Sequence, residues 1–315
     1  MPTLRTVTLN TGYDDHFTIH DLTWGGAGRS TAFRSVPSGK GISCARAARA
    51  LGIPVHAHAL IGEADLEDYS TRLASEGLHA HDLVAVEGRT RHNLTLIDGT
   101  GRQVAAHFVS PGFSLGDQHA ALSLREHLMA SIEPGDVVTL NGSVPTGLPD
   151  DTWAHFARSA LGQGARVIVD AQGAAFQHAL SVPGLTAFKP NDEEILALPG
   201  VADAAPGLRV ATALHVLAGT DVQIPLVSRG ARGVSFLRDG RTVTLECPVD
   251  EPVQSVMAGD AFVAGLVWGL LEDEAEEDCI RRGLAAAAAH VAGLSGEALR
   301  TRAVENLSRI TTRGG

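Results

Sequence analysis

The sequence has few cysteines, few aromatic residues and no long uninterrupted hydrophobic run. Its 315 residues include three cysteines and only 4% aromatic residues. Cys44, Cys247 and Cys279 are far apart and form no CxxC pair, which argues against a disulfide scaffold or a zinc site and favours reduced thiols. The longest apolar stretch, near Phe262 to Leu271, is too short to span a bilayer, and no signal peptide is apparent. These absences predict a soluble, cytoplasmic protein.

Positive charge is also scarce. The chain has 25 lysines and arginines against 36 aspartates and glutamates, which gives a formal net charge of −11. This balance argues against general binding to nucleic acids or to anionic membranes, although a local basic pocket could still bind a phosphorylated small molecule. Hydrophobic residues make up 44% of the chain and 35 residues are glycine. Such a composition is typical of an α/β protein with many tight turns.

Strand-like apolar runs alternate with helical segments along most of the chain. The predicted strands are residues 5–10, 54–61, 136–140, 166–170 and 224–228, and the predicted helices include 42–51 and 151–161. Alternation of this kind predicts a three-layer α/β/α fold with a mostly parallel central sheet. Ligands of such sheets bind at the carboxyl ends of the strands.

Two segments interrupt this alternation. Residues 14–33 and 87–109 alternate apolar and polar residues around Gly and Asp-Gly turns, which predicts antiparallel strands of a small separate sheet. A small sheet that closed over a substrate would exclude water, which competes with an acceptor hydroxyl for a phosphoryl group. An edge hairpin without such a role is the alternative. We assign residues 11–36 and 87–110 to a small β lid, and residues 1–10, 37–86 and 111–315 to the main α/β domain.

The segment from Met257 to Gly265 joins a tight turn of small residues to an acid at the start of an apolar helix. The first N–H groups of a helix have no intrahelical partner and carry partial positive charge, so the turn Ala258-Gly259-Asp260 can bind an anion. Asp260 would stand where it can take a proton from an attacking hydroxyl. The alternative is that Asp260 only caps the helix.

Seven blocks occur in a fixed order, and together they resemble the ribokinase-like (PfkB) family of carbohydrate kinases. Within that family, they resemble the branch of 1-phosphofructokinase and tagatose-6-phosphate kinase, which phosphorylates sugar phosphates. The blocks are Thr8-Leu9-Asn10 with Asp14, Gly39-Lys40-Gly41-Ile42, Thr90-Arg91 with Asn93, Gly142-Ser143-Val144-Pro145, Lys189-Pro190-Asn191 with Glu194, Val227-Ser228 with Gly230 and Gly233, and Ala258-Gly259-Asp260.

The resemblance implies a kinase that transfers the γ-phosphate of ATP to a hydroxyl of a hexose phosphate, such as fructose 1-phosphate, fructose 6-phosphate or tagatose 6-phosphate. Asp260 would be the general base, and the backbone N–H groups of Ala258, Gly259 and Asp260 would form the anion hole. On the acceptor side, the implied substrate-binding residues are Asp14 at the end of the first strand, Gly39, Lys40, Ser43 and Arg91. Lys40 and Arg91 would hold the phosphate that the substrate already carries.

A second group of residues is implied to bind the nucleotide. Asn191 and Glu194 match the Asn-x-x-Glu pattern that the family uses near Mg²⁺, whose preferred ligands are oxygen atoms. Without the resemblance, the same two residues would be a helix N-cap and a first-turn acid. The residues implied to contact ATP are Lys189, Asn191, Ser228, Gly230 and Gly233.

Two residues depart from the family pattern. Met257 stands where the family has the first glycine of the turn, and Ser43 stands where it has a sugar-binding asparagine. These departures keep two alternatives open: a kinase of an unphosphorylated sugar or nucleoside, and a sugar-binding regulatory protein with weak or no catalysis. The resemblance also implies a homodimer formed through the lid, with a sugar phosphate and ATP as ligands and with neither nucleic acid nor membrane as a partner.

Overall fold

The computed structural model describes residues 1–20, 26, 28–99 and 104–314. Fourteen strands lie within these residues. In chain order they are β1 (Leu4–Thr8), β2 (Gly12–Ile19), β3 (Ser30–Ser38), β4 (Val55–Gly62), β5 (His81–Val86), β6 (Arg91–Asp98), β7 (Val104–Phe108), β8 (Val137–Asn141), β9 (Arg166–Asp170), β10 (Ala187–Phe188), β11 (Ile224–Ser228), β12 (Val234–Arg238), β13 (Arg241–Glu246) and β14 (Thr311–Gly314).

The same residues form nine α-helices. They are α1 (Lys40–Ala50), α2 (Leu66–Ser75), α3 (His119–Ser131), α4 (Thr152–Gly162), α5 (Gly173–Leu180), α6 (Arg209–Ala218), α7 (Ala258–Leu271), α8 (Glu276–Val291) and α9 (Gly296–Leu307). None of the helices in the described ranges is both long and apolar enough to cross a membrane.

Ten strands form the main sheet, in the order β14-β13-β12-β11-β10-β9-β8-β1-β4-β5. Neighbours from β11 to β5 pair in parallel, and the three pairs at the other end are antiparallel. The prediction of a mostly parallel central sheet is therefore confirmed. The predicted strands 166–170 and 224–228 coincide with β9 and β11, whereas the first predicted strand, 5–10, starts and ends earlier, at Leu4–Thr8.

Helices cover both faces of the main sheet, so every residue of its central strands β1 and β8 is buried. One face packs a core around Trp153, Phe176 and Leu214, and the other packs α1, α7, α8 and α9 around a second core. Helix α7 is apolar on all sides and almost wholly buried, because α8 packs closely against it. A Cβ at Gly265 would lie 2.4 Å from the carbonyl oxygen of Arg282, so this close approach requires glycine. The predicted three-layer α/β/α arrangement is confirmed.

A second sheet has the order β3-β2-β6-β7. The β2–β3 and β6–β7 pairs are antiparallel as predicted, but the central β2–β6 pair is parallel. The prediction of antiparallel strands was wrong for this pair: β2 and β6 follow β1 and β5 of the same parallel sheet, so both enter the second sheet in the same direction. Of the segments assigned to a lid, residues 21–25, 27 and 100–103 lie outside the described residues.

Candidate active site

A cluster of buried charges lies where the carboxyl ends of the parallel strands meet the first turns of two helices. Asp170 is the last residue of β9, Lys189 follows β10, and Lys40 is the first residue of α1. The Oδ1 atom of Asp170 lies 3.2 Å from Lys40 Nζ and 3.3 Å from Lys189 Nζ. Burial alone would raise the pKa of the Asp170 carboxyl, but Lys189 and Lys40 hold it below its usual value. Asp170 is therefore an anion between two cations.

Glycines at the start of α1 bring Lys40 to this cluster. Gly39 has φ 135°, and a Cβ there would lie 2.8 Å from the Thr8 side chain at the end of β1. A Cβ at Gly41 would meet the Thr8 hydroxyl at 2.3 Å. The helix therefore begins in direct contact with the strand end, as only glycine allows. Burial would lower the pKa of Lys40, but the carboxylates around it, Asp170 first, raise it above its usual value.

Asp260 is the third residue of α7 and is only 6% exposed. Burial raises the pKa of its carboxyl to about 8, and Asp170 adds to this, while Lys40 and Lys189 act in the opposite direction. A carboxyl that titrates near neutral pH can both accept and release a proton under ordinary conditions, as general acid–base catalysis requires. Burial therefore sets the direction of this shift, and the charged cluster modifies it.

The N–H groups at the start of α7 are not equally available to an anion. The N–H of Ala258 donates to the Ser255 carbonyl at 3.2 Å, and that of Asp260 donates to the Met257 carbonyl at 3.1 Å. The N–H of Gly259 forms no such backbone bond among the described residues. A Cβ on Gly259 would lie 3.3 Å from Lys189 Nζ, so this N–H group and the ammonium lie side by side. Together they can bind one anionic oxygen.

The two residues that depart from the family pattern contact each other. Met257 precedes α7 with φ 64°, a left-handed conformation that is strained for a residue with a Cβ. The Ser43 hydroxyl, one turn into α1, donates to Met257 Sδ at 3.1 Å. The Ser43 side chain is 7% exposed, and its hydroxyl is thus already paired within the protein.

Asp14 was predicted to lie at the end of the first strand, but the structure places it elsewhere. Strand β1 ends at Thr8, the chain turns through Asn10, and Asp14 is the third residue of β2 in the second sheet. Its Oδ1 atom accepts hydrogen bonds from Ser38 Oγ at 2.9 Å and from Asn93 Nδ2 at 2.8 Å. These neighbours hold the carboxylate, 7% exposed, at the base of the second sheet.

Arg91 begins β6 and lies at the junction of the two sheets. Its guanidinium donates to the carbonyls of Asn10 at 3.0 Å, Thr11 at 3.2 Å and Ser110 at 3.0 Å. Three of the five N–H bonds of the arginine are used in this way, which leaves two for another partner. In this conformation Arg91 therefore ties the start of β6 to the segment between β1 and β2 and to the residue after Val109, and its bond to Asn10 reaches the main domain.

Asn191 and Glu194 form reciprocal hydrogen bonds before a short 3-10 helix, Glu194–Ala197. The Asn191 side chain accepts from the N–H of Glu194, and Glu194 Oε2 accepts from the N–H of Asn191, both at 2.9 Å. This is a capping-box arrangement, which matches the alternative interpretation of Asn191 as a helix N-cap and Glu194 as a first-turn acid. It is compatible with a magnesium site, because the two side chains offer an amide oxygen and a carboxylate oxygen as ligands.

The loop after β11 lies beside Asn191. Ser228 forms an isolated parallel bridge with Asn191, and its hydroxyl donates to the Pro190 carbonyl at 3.2 Å. Gly230 and Gly233 both have positive φ, and a Cβ at Gly233 would lie only 1.9 Å from the Leu245 carbonyl oxygen. The residues predicted to bind the nucleotide therefore share one edge of the main sheet.

The structure brings most of the predicted residues into one cleft. Lys40, Lys189 and Asp260 form its charged centre, while Asp14 and Arg91 lie at the base of the second sheet. Sequence analysis missed Asp170, the carboxylate that links the two lysines. Its signal was an acid at the end of the apolar run Val167-Ile168-Val169, at the edge of a parallel sheet where ligands bind.

Comparisons with known proteins identify the family of the chain. A family model described as pfkB family carbohydrate kinase matches residues 20–298. The chain is 33% identical to 1-phosphofructokinase of Xanthomonas campestris pv. campestris over 88% of this chain and 87% of that protein. It is 30% identical to 1-phosphofructokinase of Bacillus subtilis over 91% of each chain.

Solved structures of phosphofructokinase-2 from Escherichia coli share the fold. The structure of its complex with fructose-6-phosphate has a TM-score of 0.87 at 27% identity, over 98% of this chain and 100% of that chain. The structure of its tetrameric inhibited form has a TM-score of 0.87 at 28% identity, with the same coverage.

Proposed function

The chain belongs to the pfkB family of carbohydrate kinases, and from this premise we propose that it transfers the γ-phosphoryl group of ATP to a hydroxyl of a sugar phosphate. ATP is the phosphoryl donor that the family implies. The relatives named 1-phosphofructokinase make a fructose phosphate the leading acceptor. The single observation that carries the proposal is the buried cluster of Asp260, Asp170, Lys40 and Lys189 at the carboxyl edge of the sheet.

In this proposal Asp260 takes the proton of the acceptor hydroxyl as the hydroxyl oxygen attacks the γ-phosphorus in line. Lys189 and the Gly259 N–H group stabilise the charge that develops on the transferring phosphoryl group. The N–H groups of Ala258 and Asp260 contribute as well if they exchange their bonds to the Ser255 and Met257 carbonyls for bonds to the phosphoryl oxygens. Lys40 lies in the field of Asp260 and Asp170 and would bind phosphate oxygens at the centre of the cleft.

The nucleotide side of the site includes Ser228, Gly230 and Gly233. The positive φ angles of the two glycines would keep the backbone close to the phosphates. Asn191 and Glu194 would hold Mg²⁺, in part through its water ligands. When bound, the ion would neutralise charge on the phosphates and align them with the acceptor.

On the acceptor side, Asp14 would orient sugar hydroxyls, and Gly39 would allow backbone to approach the sugar. Ser43 contributes only if its hydroxyl leaves Met257 Sδ. Arg91 would bind the phosphate of the sugar phosphate with the two N–H groups that its carbonyl partners do not use.

One observation favours a second candidate, a kinase of an unphosphorylated sugar or nucleoside. The Arg91 guanidinium is largely committed to backbone carbonyls, so it could serve only to fix the second sheet. The two candidates differ in whether the acceptor must carry a phosphate.

Residues 11–36 and 87–110 are proposed to act as a lid over the acceptor. The outer side of this sheet exposes Phe33, Phe108 and Val109, which are 58%, 49% and 62% exposed. An apolar surface of this kind fits a homodimer formed through the lids.

Light scattering should give the mass of a dimer, and the variant Phe33→Glu should shift this mass towards that of the monomer. A monomeric wild type would remove the dimer from the proposal.

The proposal is tested by coupled ADP release with MgATP across fructose 1-phosphate, fructose 6-phosphate, tagatose 6-phosphate, the free sugars and nucleosides. We expect turnover with phosphorylated sugars and its loss in Asp260→Asn. Turnover with free sugars or nucleosides alone would favour the second candidate. Sugar binding without turnover anywhere would indicate a regulatory protein.

A further inference from the structure

Two histidines and one aspartate form a cluster outside the candidate active site. His56 and His58 lie in the first half of β4, and Asp82 lies on the neighbouring strand β5, directly opposite His58 in the register. Residues two apart on a strand face the same side, so all three side chains share one face of the sheet. His56 Nε2 and His58 Nδ1 lie 3.1 Å and 3.4 Å from the same oxygen, Asp82 Oδ2. All three atoms lie within 4.8 Å of one another.

The two ring nitrogens that face Asp82 are held only by these contacts with its carboxylate. Both are buried, and neither forms a hydrogen bond of acceptable geometry within the residues that the structure describes. The side chain of His58 is 0% exposed, so no solvent replaces the missing partner. A buried polar group without a well-formed hydrogen bond destabilises the fold, and a ligand at this point would offset that cost.

The state of His58 fits a metal ligand. The His58 side chain is fully buried, and its Nδ1 atom faces the Asp82 carboxylate. On the other side of the ring, Nε2 lies 3.4 Å from the Ser131 hydroxyl of α3. When Nδ1 binds an ion, the ring can carry its proton on Nε2 beside the Ser131 hydroxyl, as is usual for histidines that bind metals.

The distances also fit. Bonds of about 2.0–2.2 Å at tetrahedral angles place neighbouring ligand atoms about 3.3–3.5 Å apart. The observed separations of 3.1 Å and 3.4 Å lie close to this range, so an ion could enter with small side-chain rotations. The rings of His56 and His58 stack with centroids 4.5 Å apart, so one ring must tilt to direct its lone pair at an ion shared with the other.

The solvent exposure of the cluster and the charges around it also favour a bound cation. The side chains of His56 and Asp82 are 24% and 37% exposed, so one side of the cluster opens to solvent and leaves room for a water as a further ligand. A cation, Arg5, lies opposite His56 in the register of β1 and β4. Its charge is compensated by Asp136, whose Oδ2 atom lies 2.6 Å from Arg5 Nε.

From this geometry we propose that His56, His58 and Asp82 bind a divalent transition-metal ion, with Zn²⁺ the best match to two imidazoles and one carboxylate. The ion would tie β5 to β4. Strand β5 is the last strand of the main sheet at its end, with β4 as its only neighbour within the described part of that sheet. This site is separate from the kinase chemistry and does not depend on it.

The test uses the untagged full-length chain after removal of metal with a chelator. Co²⁺ is titrated and followed by its visible absorption, which reports coordination, and Zn²⁺ affinity is measured by competition. We expect one equivalent to bind, and at least about tenfold weaker binding in the variants His56→Ala and Asp82→Asn, each of which removes one ligand. These positions are partly exposed, so both variants should fold even if a change at buried His58 does not.

His155→Ala is the matched control. His155 lies on the exposed side of α4, and its Nε2 atom is 3.3 Å from Asp151 Oδ2, without a second histidine ligand within the described residues. This change should therefore leave binding intact. Zn²⁺ should also raise the melting temperature of the wild type and of this control, but not that of Asp82→Asn. The proposal is overturned if no saturable binding occurs, or if the cluster variants bind as tightly as the wild type.

Discussion

The two sides of the candidate active site differ in how their polar groups are paired. At the start of α7, Asp260 is buried with a raised pKa, and Asp170 has a carboxylate oxygen without a partner in the described structure. At the base of the second sheet, Asp14 and Arg91 already bond to neighbouring side chains and carbonyls. The first side is poised for reaction, while the second must exchange internal bonds for bonds to a substrate. The chemistry therefore depends on preorganised charges, and acceptor choice depends on how easily these bonds are exchanged.

The largest expected effect comes from removing the proposed base on the poised side. Asp260→Asn keeps the shape of the side chain but cannot accept the proton, so kcat should fall by about 10²–10⁴-fold. Steady-state kinetics with a phosphorylated sugar measures this, with Asp250→Asn, a surface residue paired with Arg309, as the control. Near-normal turnover in Asp260→Asn would exclude it as the base.

Next in size is the loss of the anion between the two lysines. Asp170→Ala would leave the ammonium groups of Lys40 and Lys189 close together without their counter-charge. Breaking a buried pair in this way should lower the free energy of unfolding by about 3–5 kcal/mol. Urea denaturation measures this. A loss of less than about 1 kcal/mol would show that the lysines find other partners.

The raised pKa of Asp260 predicts two pH dependences. Activity should rise as pH increases towards about 8, because the base must be deprotonated, and should level off above it. The free energy of unfolding should change in the opposite direction. The folded state keeps the proton of Asp260 up to about pH 8, whereas the unfolded chain loses it near pH 4. As the pH rises from about 4 to about 8, this group therefore destabilises the fold increasingly. The melting temperature of Asp260→Asn should therefore be higher than that of the wild type at pH 9 and nearly equal to it at pH 4. An equal difference at both pH values would contradict the raised pKa.

On the paired side, Arg91→Ala should raise KM for a sugar phosphate by about 10–100-fold and change kcat less, as expected for a residue that binds the substrate phosphate. Arg91→Lys keeps the charge but loses the fork geometry, so it should recover only part of the effect. KM values for phosphorylated and free sugars separate the two roles of Arg91. Equal changes for both would mean that Arg91 only holds the two sheets together.

The smallest effect concerns the contact between Ser43 and Met257. A double-mutant cycle with Ser43→Ala and Met257→Leu should give an interaction energy of about 0.5–1 kcal/mol in sugar binding, because the two side chains share one hydrogen bond. Sugar affinity measured by calorimetry for the four proteins provides this value. Additive effects would show that the contact has no influence on the acceptor.

The sequence predicted the layers of the fold because its apolar runs and helical segments alternate strictly, and short-range patterns determine this alternation. It also identified Asp260, because a turn of small residues before an apolar helix is a local signal. It could not predict that β2 pairs in parallel with β6, since this pairing depends on where β1 and β5 lie in the main sheet. Nor could it predict the Asp170 ion pairs, the bonds of Arg91 to three distant carbonyls, or the Ser43–Met257 contact. Each of these joins residues far apart in the chain.

The decisive measurement is the ratio of kcat/KM for a phosphorylated sugar to kcat/KM for the corresponding free sugar, with MgATP, in the wild type and in Arg91→Ala. We predict that the wild type prefers the phosphorylated sugar by at least about tenfold and that Arg91→Ala loses most of this preference. A wild-type ratio of one or less would contradict the assignment as a sugar-phosphate kinase.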